Sequence, residues 1–346
     1  MPPAAPLTPL DALTEIAFRL ELERAPSFKV QAFRRAAGVV AGLGDEQVAA
    51  RAASGRLSSL KGIGSSTLSV ITQALAGEVP EYLAKLRDRE PDILGGVDVA
   101  LELRAQVRGD LHSHSEWSDG TVPVELMAST ARMLGREYLA LTDHSPHLTI
   151  AHGLTAERLL EQLDLVAEID EAADGFRLLT GIETDILEDG TLDQAPELLD
   201  RLDVVVASVH SDLRADRATM TTRMLGAVDD PRTNVLGHCT GRLVEGSRGT
   251  RPPSQFDAEL VFAACAANDV AVEINSRPER QDPPDDLIRI ALDAGCLFSI
   301  DSDAHAPGQL AFIDYGVARA AAAGVPADRI ITTWPVDRLL AWTTAF

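Results

Sequence analysis

The sequence predicts an α/β fold for most of the chain, preceded by a small all-helical domain. Apolar runs of strand length alternate with helical patterns; the runs lie at 138–142, 177–182, 203–209, 233–237, 270–274 and 296–300, and the helical patterns at 122–135, 155–173, 192–201, 255–268 and 284–294. Such alternation is typical of parallel strands joined by helices. Residues able to bind metal follow these runs, and their placement at the carboxyl ends of successive strands favours a barrel over an open sheet.

The helical part opens the chain, with patterns at residues 8–25, 28–42, 45–55 and 60–75. In the last of these, Gly62 and Gly64 flank Ile63, and a helical pattern follows at once. A glycine hairpin that exposes main-chain N–H groups at a helix N-terminus can bind one backbone phosphate. Gly62, Ile63 and Gly64 are therefore candidate DNA contacts, and the alternative is a helical cap that binds nothing.

The boundary between the two parts is indicated by helix breakers. Pro91 and Gly95–Gly96 interrupt the pattern between the last helix and the first strand. We therefore predict a helical domain over residues 1–86, a linker over 87–106 and an α/β domain over 107–346.

The stretch from Gly109 to Gly120, GDLHSHSEWSDG, places His112 and His114 two residues apart and Asp119 five residues further on. An apolar lead-in ends immediately before His112, so the two imidazoles would leave the end of a strand on the same face. Two imidazoles and a carboxylate can hold a divalent metal ion. The alternative is a polar loop that contains two histidines by chance.

The rest of the α/β region supports the metal site. Further candidate ligands follow other strand-like runs, so that nine residues are expected to converge: His112, His114, Asp119, His144, Glu183, His210, His238, Asp303 and His305. Among these types, a carboxylate can share its two oxygens between two ions, which makes Glu183 the natural bridge. A mixed nitrogen and oxygen donor set suits zinc, manganese or iron.

Charge and cysteine content limit the possible partners and location. The net charge is −22, but residues 1–90 hold 11 basic and 10 acidic residues, so the acidic excess lies in the α/β region. An acidic surface argues against tight, nonspecific binding of long duplexes. The three cysteines form no CxxC pair, and the opening MPPAAPLTPL lacks the basic and apolar parts of a signal peptide. We expect reduced thiols and a cytoplasmic protein without membrane association.

The motifs GDLHSHSEWSDG, YLALTDHSPHL, LTGIETDILEDGTLD, VVVASVHSDL, LGHCTGRL, EINSRP and SIDSDAH resemble those of the PHP (polymerase and histidinol phosphatase) family. The closest resemblance is to the C-terminal PHP domain of bacterial X-family DNA polymerases, over about residues 107–346. It implies a distorted seven-stranded (β/α) barrel with three metal ions. By similarity, the ligands would be His112, His114, Glu183 and Asp303 for the first ion, Glu183, His210 and His238 for the second, and Asp119, His144 and His305 for the third.

The helical region resembles the N-terminal helix-hairpin-helix domain of the same polymerases, most closely in FKVQAFRRAA. In some members this domain carries a lyase lysine, but Val70 aligns with that position here, and a Schiff base needs an amine. The predicted linker is also too short for a polymerase palm. The resemblance therefore implies neither lyase nor polymerase activity.

The candidate catalytic residues include four of the metal ligands, His112, His114, Glu183 and Asp303. Arg242, and Arg277 or Arg280, stand where they could clamp a phosphate with two hydrogen bonds, although each could instead be an ordinary surface arginine. Divalent ions in such a site would activate water for attack on phosphorus.

Three functions remain open from the sequence. The first is a phosphoesterase acting on DNA ends, as a 3′–5′ exonuclease, a 3′-phosphatase or an enzyme that processes abasic sites in DNA repair. The second is a small-molecule phosphatase of the histidinol-phosphate type, which the acidic surface favours. The third is a noncatalytic DNA-binding module, which the complete set of ligand residues disfavours.

Overall fold

The computed structural model describes residues 7–89, 91–246 and 249–344. The chain divides into two compact units, Met1–Asp92 and Ile93–Phe346. Residues 1–6, which open the predicted helical domain, lie outside the described residues. Among the residues that are described, no helix combines the length and the apolar character needed to cross a bilayer.

The first unit is all-helical. Its α-helices are Pro9–Leu22 (α1), Ser27–Leu43 (α2), Asp45–Ala53 (α3), Ser65–Leu75 (α4) and Glu81–Arg87 (α5). Thr8 caps α1 by accepting a hydrogen bond from the Asp11 N–H, and the Asp11 carboxylate in turn accepts from the Thr8 N–H. The helices enclose a core of their own, which includes Leu13, Phe33 and Ile71.

The predicted glycine hairpin lies directly before α4. Gly62 has a φ of 102°, a backbone conformation that favours glycine. Ile63 is buried and anchors the turn, whereas Gly64, Ser65 and Ser66 are exposed at the start of α4. The first main-chain N–H groups of a helix have no partner within the helix, so this turn presents donors to solvent.

The second unit is a parallel barrel, which confirms the predicted fold class. Seven strands follow one another in chain order, each parallel to its neighbour. They are Gly109–Asp110 (β1), Tyr138–Leu141 (β2), Arg177–Asp185 (β3), Val204–Ser208 (β4), Val235–Leu236 (β5), Ala271–Asn275 (β6) and Phe298–Asp301 (β7).

Helices surround the strands: Asp98–Gln106 (α6), Val124–Met133 (α7), Ala156–Ala172 (α8), Pro196–Leu199 (α9), Arg217–Val228 (α10), Ala258–Ala267 (α11), Asp285–Asp293 (α12), Ile313–Ala323 (α13) and Val336–Thr343 (α14). The predicted linker, residues 87–106, contains the helix α6, which packs against the rest of the second unit. Leu103 of α6 is buried in the core of that unit, and Arg104 pairs with Asp314 of α13 at 2.5 Å. Residues 98–106 therefore form part of the second unit.

The barrel closes between β7 and β1 mainly through side chains, because β1 is only two residues long. Asp301 accepts a hydrogen bond from the Leu111 N–H at 2.8 Å, and Asp110 accepts from the Ser302 N–H at 3.1 Å. Further along the same two segments, the His114 N–H donates to the carbonyl of Ala304 at 2.8 Å. These bonds fix the segment that carries His112 and His114 against the segment that carries Asp303.

Candidate metal centre

All nine predicted ligands lie at the carboxyl end of the barrel, and their donor atoms form four overlapping groups. Within each group the atoms lie within 4.8 Å of one another. The groups are His114, Asp119, His144 and His305; His112, His114 and Asp303; His112, Glu183 and His238; and His144, Glu183 and His210. The structure therefore brings together every residue that the sequence proposed as a ligand.

Glu183 is at the centre of the site, near the end of β3. Its Oε2 lies 3.3 Å from His112 Nε2 and 2.9 Å from His144 Nδ1. Its Oε1 lies 3.2 Å from His210 Nε2 and 2.8 Å from His238 Nε2. The two oxygens thus face different imidazoles, which is the arrangement expected of a carboxylate that bridges two cations.

Asp119 forms an outer group that is open to solvent. Its Oδ1 lies 3.2 Å from His305 Nε2 and 3.6 Å from His144 Nε2. The Asp119 side chain is 37% exposed and that of His305 is 19% exposed, whereas Glu183 is 1% exposed. We call Asp119, His144 and His305 the outer position. His114 also lies within reach of this group, which the similarity-based assignment did not include.

The buried polar atoms of the site fit divalent cations. His112 Nε2, His114 Nε2, His210 Nε2 and Glu183 Oε1 are fully buried and have no hydrogen-bond partner among the described residues. Buried polar atoms are rarely left without a partner, and four that converge on one place are well explained by a cation. Burial and the rings of His305 and His144 lower the pKa of His114 to about 3, so its ring is neutral and can donate a lone pair.

The imidazole rings that face Glu183 keep its carboxyl group ionised. Burial alone would raise the pKa of its carboxyl, but the facing imidazoles, with His112 and His144 foremost, hold the pKa well below its usual range. A buried carboxylate that is held ionised is a strong binding site for positive charge.

The sequence reasoning missed Glu273, which lies on β6 and is fully buried. Its Oε1 lies 2.6 Å from His112 Nδ1, and its Oε2 accepts a hydrogen bond from the His238 N–H. A carboxylate on the far nitrogen of a ligand imidazole fixes the ring and makes it a better donor. Glu273 lies within its strand, so it does not follow an apolar run or precede a polar turn as the predicted ligands do.

Asp185 was also missed. It lies on β3 two residues after Glu183 and is hydrogen-bonded to His210 Nδ1. Burial lowers the pKa of His210, but Glu183 and Asp185 outweigh it and raise the pKa to about 9. The spacing of two residues on one strand, which places both carboxylates on the same face, was an available signal.

Asp143 lies beside His144 and is the acceptor of a group of hydrogen bonds within the site. It accepts hydrogen bonds from the Ser115 N–H and hydroxyl, at 2.8 and 2.7 Å, from the Ser118 hydroxyl and from Gln162. It therefore holds the loop that leads to Asp119.

The candidate phosphate-binding arginines are engaged in contacts within the protein. Arg242 donates to the carbonyls of Arg280 and Gln281. Arg277 donates to Glu279 and to the carbonyl of Asp303, and Arg280 donates to Asp303 Oδ2 at 3.1 Å. These contacts bring Arg277 and Arg280 to the edge of the metal site, whereas Arg242 supports the loop that carries them.

The remaining histidines and the cysteines lie outside the donor groups. His147 and His152 are exposed in the loop after β2. Burial raises the pKa of the Cys239 thiol well above its usual range, so this thiol is protonated at neutral pH. Cys239 packs within the core of the second unit.

The model of the PHP domain matches residues 110–277 of this chain, and that of a helix-hairpin-helix domain matches residues 8–79. Residues 110–277 therefore contain a PHP domain, preceded by a helix-hairpin-helix domain. The matched domain and its clustered histidine and carboxylate donors, which could hold divalent ions, support a metal-dependent phosphoesterase.

Two curated relatives and one solved structure illustrate the similarity. The DNA polymerase/3′-5′ exonuclease PolX of Bacillus subtilis is 36% identical over 200 residues, which are 58% of this chain and 34% of that protein. A protein of Aeromonas hydrophila named probable phosphatase is 28% identical over 214 residues, which are 59% of this chain and 80% of that protein. The crystal structure of histidinol phosphate phosphatase from Lactococcus lactis, complexed with zinc, L-histidinol and phosphate, is 18% identical with a TM-score of 0.46 and covers 63% of this chain and 94% of that one.

The alignment with the B. subtilis protein spans only about one third of that protein's length. The match therefore says nothing direct about the activity of the whole polymerase, and the substrate of this chain has to be argued from its own residues.

Proposed function

We propose that this protein hydrolyses phosphoester bonds at DNA ends, as a 3′–5′ exonuclease, a 3′-phosphatase or an enzyme that processes abasic sites in DNA repair. The observation that carries the proposal is the presence, in one chain, of a metal-binding phosphoesterase barrel and a helix-hairpin-helix domain. A small phosphorylated metabolite does not need the second of these. The B. subtilis relative, whose name includes a 3′-5′ exonuclease, is consistent with it.

In this proposal the nine ligand residues hold up to three zinc, manganese or iron ions. Such ions activate water and neutralise the charge that develops on a phosphoryl group. Glu183 would contribute to both inner positions, while Glu273 and Asp185 fix the orientation of His112 and His210. Because Asp119 and His305 are the more exposed ligands, the phosphoester would approach from the outer position.

Arg277 and Arg280 lie at the edge of the site, but both guanidinium groups contact Asp303 or its main chain. We therefore assign them first to supporting the ligands and only second to contacting a phosphate. Arg242, which donates to two carbonyls of the neighbouring loop, has a structural role in the same proposal.

The glycine hairpin would bind the DNA backbone. Ser65 and Ser66 begin α4 in exposed positions, and a helix N-terminus favours an anionic group. The net charge of residues 1–90 is close to zero, whereas the rest of the chain is strongly acidic. The helical domain is thus the part of the chain that a polyanion can approach at the least electrostatic cost.

A charge placed on the hairpin tests this role. Gly64 has ordinary negative φ, and a Cβ built there meets no atom within 4 Å, so Gly64→Glu fits without strain. We expect it to weaken binding of a 3′-recessed oligonucleotide about tenfold, since the carboxylate would face a phosphate. Ala76→Glu, at the exposed far end of the same helix, is the control with the same change in charge. Equal binding by both variants would show that the hairpin does not hold DNA.

The second candidate function is a small-molecule phosphatase of the histidinol-phosphate type. It is favoured by the acidic barrel and by the relative named probable phosphatase, most of whose length aligns with this chain.

Purified full-length protein with Mn²⁺ should be assayed in parallel on a 3′-recessed oligonucleotide and on histidinol phosphate. Faster turnover of histidinol phosphate would replace the DNA proposal with this one, and metal-bound protein inactive on both would favour a noncatalytic DNA-binding module.

The proposal excludes DNA synthesis and lyase chemistry. Between α5 and β1 lie about twenty residues, of which Asp98–Gln106 form α6, and this leaves no room for a palm domain. At the position that aligns with a lyase lysine, Val70 is 1% exposed in the core of the helical unit. A side chain there has no access to a sugar aldehyde.

A further inference from the structure

One ring nitrogen of His305, Nδ1, lies close to both a hydrogen-bond donor and a hydrogen-bond acceptor. Its Nδ1 lies 2.9 Å from Arg277 Nη1 and 3.0 Å from the carbonyl oxygen of Asp303. Its Nε2 lies 3.2 Å from Asp119 Oδ1. A guanidinium group can only donate hydrogen bonds, and a carbonyl oxygen can only accept them. The two neighbours of Nδ1 therefore favour different tautomers of the imidazole.

When Arg277 donates to Nδ1, the proton of the neutral ring lies on Nε2. The Nε2–H group then points at Asp119 and donates to its carboxylate, so no lone pair remains on that nitrogen for a cation. When Nδ1 instead carries the proton and donates to the Asp303 carbonyl, the lone pair of Nε2 faces the outer position beside Asp119. Only this second arrangement can bind a metal ion through Nε2.

Arg277 is held in place, so it cannot easily leave His305. Its Nε lies 2.8 Å and its Nη2 2.7 Å from Glu279 Oε1, and its Nη1 also donates to the Asp303 carbonyl at 2.8 Å. The Arg277 side chain is only 17% exposed. A cation that binds His305 must therefore break the bond to Arg277 and accept a fixed positive charge close to the ring.

We propose that Arg277 makes the outer position the weakest and most readily exchanged of the metal positions, by stabilising the His305 tautomer that cannot bind a cation. Arg277 is thus a positioning residue that acts through His305. The inner positions have the opposite arrangement, since His112 and His210 each face a carboxylate on the far nitrogen. The inference concerns metal occupancy, so it stands or falls independently of whether the substrate is DNA.

Metal stoichiometry under graded chelation tests the proposal. Zinc-loaded full-length protein is dialysed against increasing chelator, and the zinc retained per chain is measured by elemental analysis. We expect the wild type to lose one ion at lower chelator than the others, and Arg277→Met to hold that ion about tenfold more tightly, because a charge-assisted hydrogen bond no longer competes. Simultaneous loss of all ions in the wild type, or weaker retention of the first in Arg277→Met, would overturn it.

Arg280→Gln is the matched control. It removes the same charge beside the same residue, Asp303, but Arg280 has no described contact with His305. If charge alone mattered, it would tighten the first-lost ion as much as Arg277→Met does, and the tautomer argument would fail. We expect less than one third of that effect.

A spectroscopic measurement on the wild type does not depend on how a variant folds. Nitrogen-15 NMR of labelled histidines distinguishes Nε2–H from Nδ1–H rings, and His305→Asn assigns the signal. In chelated protein, His305 should be the Nε2–H tautomer, and titration with zinc should convert it to the Nδ1–H form only after the inner ions have bound. An Nδ1–H ring in the chelated protein would contradict the proposal.

Discussion

Substitution of Glu273 by glutamine should loosen the inner metal ions although Glu273 is not itself a proposed ligand. The carboxylate receives three donors, His112 Nδ1 on Oε1 at 2.6 Å, and the His238 N–H and Asn275 Nδ2 on Oε2. Glutamine offers one oxygen and one NH₂ group, so the donors on one side of the carboxyl group must face the NH₂ group. A charge-assisted hydrogen bond contributes about 1.5–3 kcal/mol, which corresponds to roughly a 10- to 100-fold loss of metal affinity.

The assay is competition between the protein and a chelator of known affinity, with zinc and manganese, at fixed pH. Thr184→Val is the control, because Thr184 is fully buried next to Glu183 and its hydroxyl has no partner within the described part of the chain. It should leave metal affinity unchanged within about twofold. Glu273→Gln protein that binds metal as tightly as the wild type would refute the argument that Glu273 sets the donor strength of His112.

Three further predictions concern other parts of the chain. Glu183→Ala should abolish hydrolysis of bis-p-nitrophenyl phosphate and reduce bound metal by more than one ion per chain, and full activity in this variant would exclude a bridging role. The hydrogen bond from Arg87 lowers the pKa of Glu15 against the effect of burial, and Glu15 should therefore stabilise the helical unit by about 1 kcal/mol at neutral pH. Because the pKa is lower in the folded state, this stabilisation is lost at low pH. The difference in hydrogen exchange of α1 between the wild type and Glu15→Gln should therefore shrink as the pH falls below about 4. No borohydride-trapped adduct should form on a 5′-deoxyribose phosphate substrate, and an adduct lost in Lys61→Ala would show that the helical unit has lyase chemistry despite the burial of Val70.

The sequence predicted the barrel and its ligands because both depend on short-range patterns. An apolar run followed by a histidine or a carboxylate identifies a strand end, and parallel strands bring their carboxyl ends to one edge. Glu273 was missed because it lies within β6, where a carboxylate does not end an apolar run, whereas Asp185, the last residue of β3, could have been found from its spacing of two residues from Glu183. The sequence predicts a linker over α6 because Pro91 and Gly95–Gly96 precede it. The burial of α6 depends on packing against α13, which lies far away in the chain.

The roles of the arginines could not be predicted for a different reason. Sequence position placed Arg277 and Arg280 near the site, and the structure places them there. Whether a guanidinium group faces a substrate or a protein acceptor depends on partners such as Glu279 and the Asp303 carbonyl. Those partners compete for the same few N–H groups, and the outcome is decided only by three-dimensional geometry.

One principle links the inner and outer positions. A carboxylate on the far nitrogen of an imidazole increases its strength as a metal ligand, whereas a guanidinium group that donates to that nitrogen moves the proton to the metal-binding side. His112 and His210 have the first arrangement, whereas Nδ1 of His305 faces both Arg277 and the Asp303 carbonyl, and our proposal assigns it the second. In a single chelation series, Glu273→Gln should therefore weaken the ions lost last, and Arg277→Met should strengthen the ion lost first. Changes of the same sign in both variants would mean that general disruption of the site, rather than the hydrogen-bond partner of each ring, determines metal affinity.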